Sequence, residues 1–215
     1  EPETRADFLR YPQKITLDPN TVNRRLLLSE GNRKVTCMSK EQSYSNHPDR
    51  FTVRRQVLSR ESLTGRCYWE VEVEVGEGVG VAVTYKNISG AGDSHECEFG
   101  LNDKSWSLYC CKNSYHFHYN SSNTPVSGPW SSRVGVYLDP SAGVLSFYSV
   151  SGTMTLLHRV QTTFTQPLYA GVNVYPGSTA EFWISTVKTD LHTEACPGRP
   201  QCFFTWNSTL ENFDL

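Results

Sequence analysis

The chain has 215 residues, a formal net charge of −2 and a pI near 6.3. That length suits one large all-β domain or a domain with appendages. The near-neutral balance gives no global pull towards nucleic acid or an anionic membrane, and no apolar run approaches the ~18 residues of a membrane-spanning helix.

Residues 1–12, "EPETRADFLRYP", read as a short helical or extended lead-in ending at Pro12. No signal-like segment opens at Glu1, so the expectation is a piece of a longer protein. From there nearly every segment reads as strand. "KITLDPN" ends in a turn at Asp18-Pro19-Asn20, and "RRLLLSEGNRKVTCM" is two strands around Ser29–Asn32. Further strands are expected at Cys67–Val75, Val79–Tyr85, Ser105–Cys110, Tyr115–Tyr119, Arg133–Leu138, Val144–Val150, Thr153–Val160, Leu168–Val174 and Thr179–Ile184. Many short strands with turn signals and no long helical period predict an antiparallel sandwich or barrel. Beyond Ile184 alternation stops, so residues 185–215 read as a tail, with "CFFTW" as a sticky anchor.

Charge is unevenly spread. Residues 1–66 carry 13 Lys/Arg against 8 Asp/Glu, and residues 67–215 carry 7 against 14. The simplest expectation is that the two parts pack together and neutralise each other; a charged partner is the sharper one. Seven cysteines with no CxxC pair argue for a reducing compartment. Sequons begin at Asn87, Asn120 and Asn207 and matter only in a secreted chain.

Three patterns invite chemistry. In "CYWEVEVEVGEGVGVAVTY", Trp69, Val71, Val73 and Val75 share one strand face, and Glu70, Glu72 and Glu74 the other. The glutamate row reads as a solvated surface. Its catalytic rival is a glycoside hydrolase, since carboxylates two apart on a strand lie roughly 6.5–7 Å apart and could lean to the ~5–5.5 Å of a retaining pair. "GEGVG" leads into a strand, not the helix start a phosphate loop needs, so it reads as a hairpin turn. His95, Cys97, Cys110, Cys111, His116 and His118 form the best metal candidate, but zinc-site spacings are missing and Cys110 and Cys111 point to opposite faces. No metal and no cofactor is expected.

The order of several motifs is similar to that of the PRY–SPRY domain family, found in tripartite-motif ubiquitin ligases, butyrophilins, fish immune receptors and fish pore-forming toxins. "ITLDPNTV" (15–22) resembles the PRY segment; "GRCYWEVEVE" (65–74), "SWSLYC" (105–110), "SSRVGVYLDPSAGVLSFYSV" (131–150) and "TFTQPLYAGVNVYPG" (163–177) resemble successive SPRY motifs. The resemblance implies a bent two-sheet antiparallel sandwich, with a lead-in at 1–12, a PRY segment at 13–66, a SPRY segment at 67–184 and a tail at 185–215. It also implies no catalysis, a protein ligand rather than nucleic acid, no membrane insertion by this chain, and oligomerisation through parts N-terminal to it. Cytoplasmic action is expected, with secretion the alternative if the chain is an assembly domain of a fish toxin. Carried over position by position, the partner surface comprises Tyr109, Cys111, His116, His118, Lys86, Asn87, Asp93 and Tyr175. Cys111 stands where antibody-binding relatives place an aromatic, so the same ligand is not expected. Trp69, Trp106, Leu138, Phe147 and Phe182 are expected in the core.

Overall fold

The computed structural model describes residues 2–88 and 90–183. The tail at 185–215, with "CFFTW" and the Asn207 sequon, lies outside the described residues. Thirteen strands are described: β1 Leu26–Ser29, β2 Lys34–Cys37, β3 Gln56–Leu63, β4 Cys67–Glu74, β5 Val79–Tyr85, β6 Ser105–Cys111, β7 Ser114–Tyr119, β8 Ser122–Val126, β9 Arg133–Asp139, β10 Val144–Val150, β11 Met154–Gln161, β12 Leu168–Val174 and β13 Thr179–Trp183. They form a seven-stranded sheet, β1-β2-β13-β4-β9-β10-β11, and a six-stranded sheet, β3-β12-β5-β6-β7-β8. Every strand pair is antiparallel.

Alternation fills the space between the sheets. Trp69, Val71 and Val73 of β4 meet Val134, Val136 and Leu138 of β9, Phe147 of β10 and Phe182 of β13, all buried in one core with Trp106, Leu108 and Cys110 from β6. Burying each large apolar side chain contributes about 1.5–3 kcal/mol. All five expected core residues lie there.

Two strands were not anticipated. β3, "QVLSRESL", mixes charge into its alternation, yet it pairs with β12 and buries Gln56 to Ser59 without a break. β8, "SNTPV", is an edge strand, where the missing N–H of Pro125 costs no ladder bond. Conversely, "KIT" forms no strand; Leu17 makes only an isolated bridge to Ser59. The Asp18 turn is present, with Asp18 Oδ1 accepting from Asn20 N at 2.9 Å.

The glutamate row requires a correction. Glu74 is exposed and Glu72 half-buried, but Glu70 is only 1% exposed. The reason lies in the lead-in. Thr4 caps a four-residue helix, α1 Arg5–Phe8, through a reciprocal capping box with Asp7. That helix lowers Phe8 onto Tyr68, Tyr137 and Tyr148 at ring distances of 5.2, 5.4 and 4.9 Å, making a second core on the outer face of the seven-stranded sheet. Arg5 reaches Glu70 through Nε at 2.9 Å and Nη2 at 3.0 Å, and Tyr68 donates its hydroxyl to Glu70 at 2.9 Å. A carboxylate can be buried here because its countercharge arrives from 65 residues away.

The uneven charge resolves in the same way. Arg5–Glu70, Lys34–Glu181, Arg54–Glu98 and Arg66–Asp139 each join a cation of the first 66 residues to an acid of the remainder.

Candidate functional site

The six-stranded sheet turns its other face outward. Two rows cross it in register: Gln56, Asn173, Gly80, Tyr109, His116, Pro125, and beside them Leu58, Gly171, Ala82, Ser107, His118, Asn123. The connection between β5 and β6 folds back over part of this face. Gln56 fastens it, donating Nε2–H to Cys97 O at 2.7 Å and accepting from Phe99 N at 2.8 Å. Phe99 packs with Phe51, Leu58, Ala82 and Ile88 beneath it.

Where that cover stops, aromatic and polar side chains converge. Tyr109 stacks on His118 with centroids 5.6 Å apart and meets the Tyr175 ring edge-on at 5.7 Å. Tyr109 donates its hydroxyl to Glu77 O at 3.1 Å. Tyr175 donates to Glu98 Oε1 at 2.6 Å and accepts from Asn173 Nδ2 at 3.3 Å. Glu98 Oε2 holds Arg54 Nη1 at 2.7 Å. Burial, reinforced by Glu98, pushes the Tyr175 phenol well above its ordinary value; burial also raises Tyr109. Burial, with His116 adding, lowers His118, which favours its neutral form. Stable neutral rings around a satisfied carboxylate suit hydrogen bonding and apolar contact more than proton transfer.

The glycines of "GEGVG" belong to this site. A Cβ on Gly78 would stand 2.1 Å from Tyr109 Oη, and one on Gly80 would stand 1.9 Å from Asn173 Oδ1. Both side chains lie down on the backbone at the turn into β5 and at its start, in space that only glycine leaves free. The turn itself is tied by Ser178 Oγ, which accepts from Gly76 N and Gly78 N.

Of the eight residues expected at the surface, Tyr109, His118 and Tyr175 are brought into contact. His116 is next in their row, its Nδ1–H donating to Asn123 Oδ1 at 3.0 Å. Cys111 faces the same side at the hairpin end, 3.6 Å from Ser114 Oγ. Asp93 reaches the site only through its carbonyl, which accepts from Arg54 Nη2. Lys86 and Asn87 lie at the far end of β5, six residues or roughly 20 Å along the strand from Gly80; Lys86 sits over the Tyr169 ring there. Glu98, Arg54 and Asn173 were not anticipated. Only the paired glycines hinted that side chains approach this backbone closely. Among the described residues no three of His, Cys, Asp or Glu converge as metal ligands.

Two antiparallel sheets packed face to face, one with an aromatic and polar outer face beneath a returning loop, define a sandwich of the interaction-domain class. Comparison with known proteins makes this specific. Residues 15–63 match the PRY profile, the SPRY-associated domain, and residues 66–186 match the SPRY domain; the chain belongs to the PRY–SPRY family. It is 38% identical to tripartite motif-containing protein 16 of Mus musculus over 86% of this chain and 32% of that protein. It is also 38% identical to stonustoxin subunit beta of Synanceia horrida, over 77% of this chain and 24% of the toxin subunit. The TRIM65 PSpry domain superposes with a TM-score of 0.76 at 25% identity, covering 85% of this chain and 98% of that one. The chain thus spans about a third or less of the two full-length relatives.

Proposed function

We propose that this domain is a non-catalytic protein-recognition module whose partner surface is the uncovered outer face of the six-stranded sheet, centred on Tyr109, His118 and Tyr175, with His116 and Cys111 at its edge. The observation that carries the reading is the Tyr109–His118–Tyr175 cluster, whose rings are pre-set by glycine shelves and by Glu98. Rigid aromatic anchors within a polar rim are what protein interfaces concentrate their binding energy on. Lys86 and Asn87 stay outside this surface, and Asp93 serves as a support for Arg54.

A hydrolase using Glu70, Glu72 and Glu74 finds no support, since Glu70 is locked to Arg5 and roofed by α1, and Glu72 accepts from Arg133 Nε at 2.8 Å. Unpaired thiols at all five described cysteines support action in the reducing cytoplasm. The similarity to stonustoxin supports one alternative, an assembly domain of a secreted toxin.

The test is affinity capture from host cytosol, wild type beside a Tyr109→Ala/His118→Ala variant of confirmed fold, read by mass spectrometry. A partner retained by wild type and lost by the variant supports the reading. Equal retention moves the site off this face, and capture of nothing but further copies of the domain favours assembly.

A further inference from the structure

Two adjacent arginines enter β3, and the structure treats them differently. Arg54 is neutralised by Glu98 at 2.7 Å. Arg55 is half-buried, and its guanidinium has no ion pair and no hydrogen bond among the described residues. It stands between two clefts. One, of ≈ 260 Å³, is walled by Arg54, Glu98, Asn173 and Tyr175. The other, of ≈ 560 Å³, is walled by Arg25, Cys37, Met38 and Pro176. Arg55 belongs to the walls of both, and Tyr175 of the first is bonded in sequence to Pro176 of the second, so the two clefts adjoin as one groove leading away from the aromatic cluster.

Charge on the groove is partly committed. Arg25, on the opposite wall, donates through Nη1 to Ser39 O and holds Glu41 at 3.6 Å, with both side chains well exposed, an ion-pair geometry worth little in water. The Cys37 thiol reports which charges face this space: burial pushes it up, Arg55 and Arg25 pull it down, and Glu77 opposes them. Glu77 does not pair with either arginine. On the other cleft, Asn173 Oδ1 and Arg54 Nε are buried without a partner. A guanidinium in a concave site prefers a carboxylate, which it can hold through two parallel hydrogen bonds.

We propose that the groove through Arg55 is the acidic-residue subsite of this domain: it receives an Asp or Glu side chain of an extended protein segment whose neighbouring residues lie on Tyr109 and Tyr175. The inference rests on the recognition reading above and names the chemistry of its partner. Arg55 is the anchoring cation, and Arg25 adds attraction from the facing wall.

The experiment pans a random 12-residue peptide display library on the full chain, in parallel with Arg55→Glu/Arg25→Glu and Tyr109→Ala variants of confirmed fold. Wild type is expected to enrich peptides bearing Asp or Glu, and the charge-reversed variant to lose that enrichment. A synthetic peptide from the wild-type selection should lose roughly tenfold or more in affinity on Arg55→Ala. Replacing its acid by the amide should cost a similar factor, and Arg55→Lys should fall between. Selected peptides that depend on Tyr109 but are indifferent to Arg55 and to their own acids overturn the acidic subsite and leave the recognition reading standing. Selections that depend on neither residue overturn both.

Discussion

Arg5 and Glu70 form a two-point ion pair across 65 residues of chain, at 2.9 and 3.0 Å, with Glu70 buried and Arg5 half in solvent. The pair is what turns a solvent-type strand face into a second core. Arg5→Ala leaves Glu70 with the Tyr68 hydroxyl and with Arg133 at 3.6 Å. The expected loss is about 1–3 kcal/mol, the cost of a buried charged group deprived of one strong partner. In a double-mutant cycle by urea denaturation, Glu70→Gln should recover part of that loss in the Arg5→Ala background. Additive single effects would show that the two residues do not cooperate.

Gly78→Ala and Gly80→Ala should act on the site without removing any of its functional groups. Each new methyl meets a packed group, Tyr109 Oη in one case and Asn173 Oδ1 in the other. Overpacking of this kind costs about 1–3 kcal/mol. The expected signature is a lowered melting temperature together with a changed near-ultraviolet tyrosine dichroism, because Gly78→Ala must lift the Tyr109 ring and Gly80→Ala must displace the Asn173 amide that donates to the Tyr175 hydroxyl. Unchanged spectra would mean that the backbone, not the ring, moves aside.

Acid should weaken the fold through His118. Burial holds its folded pKa below the ordinary 6.5, so the unfolded chain binds the proton more tightly. The stability contributed by the neutral ring is present above about pH 6.5 and is lost as pH falls towards the lower folded value. His158, lowered by burial against Phe117, acts in the same sense. Melting temperatures between about pH 7.5 and pH 5 should therefore fall, and fall less steeply for His118→Gln. Parallel slopes for wild type and variant would remove His118 from the account.

Cysteine reactivity should follow the strand faces. Cys67, Cys97 and Cys110 are buried, and burial, with Asp139 adding, pushes the Cys67 thiol up to about 12. At pH 8 such a thiol is ionised on the order of one part in ten thousand. Brief alkylation of the native domain, mapped by peptide mass spectrometry, should modify Cys37 and Cys111 and spare those three. Equal labelling at Cys110 would require β6 to open.

Much of this architecture was legible because period-two alternation survives wherever a strand has one dry face. β4 shows it cleanly, and Trp69, Val71 and Val73 fall inward as expected. β3 was hidden because Arg60 and Glu61 interrupt a strand that pairs through its backbone. The burial of Glu70 could not be read locally, since nothing within β4 announces an arginine 65 positions earlier. The site divides along the same line. Tyr109 and His118 sit on adjacent strands, where alternation locates them. Glu98 and Arg54 lie on irregular connections, brought together by the tertiary fold alone.

The returning connection between β5 and β6 has a further meaning. It is held to the sheet mainly from positions 97–99, by Gln56, by Phe99 in its pocket and by Glu98 on Arg54 and Tyr175, and doubling the length of a surface loop costs only about 0.6 kcal/mol of closure entropy. The floor beneath it belongs to the strands and is indifferent to that length. The loop is therefore an adjustable aperture: insertion or deletion there widens or narrows the exposed floor while the thirteen strands keep their register. A scaffold built this way can change what it admits without being refolded.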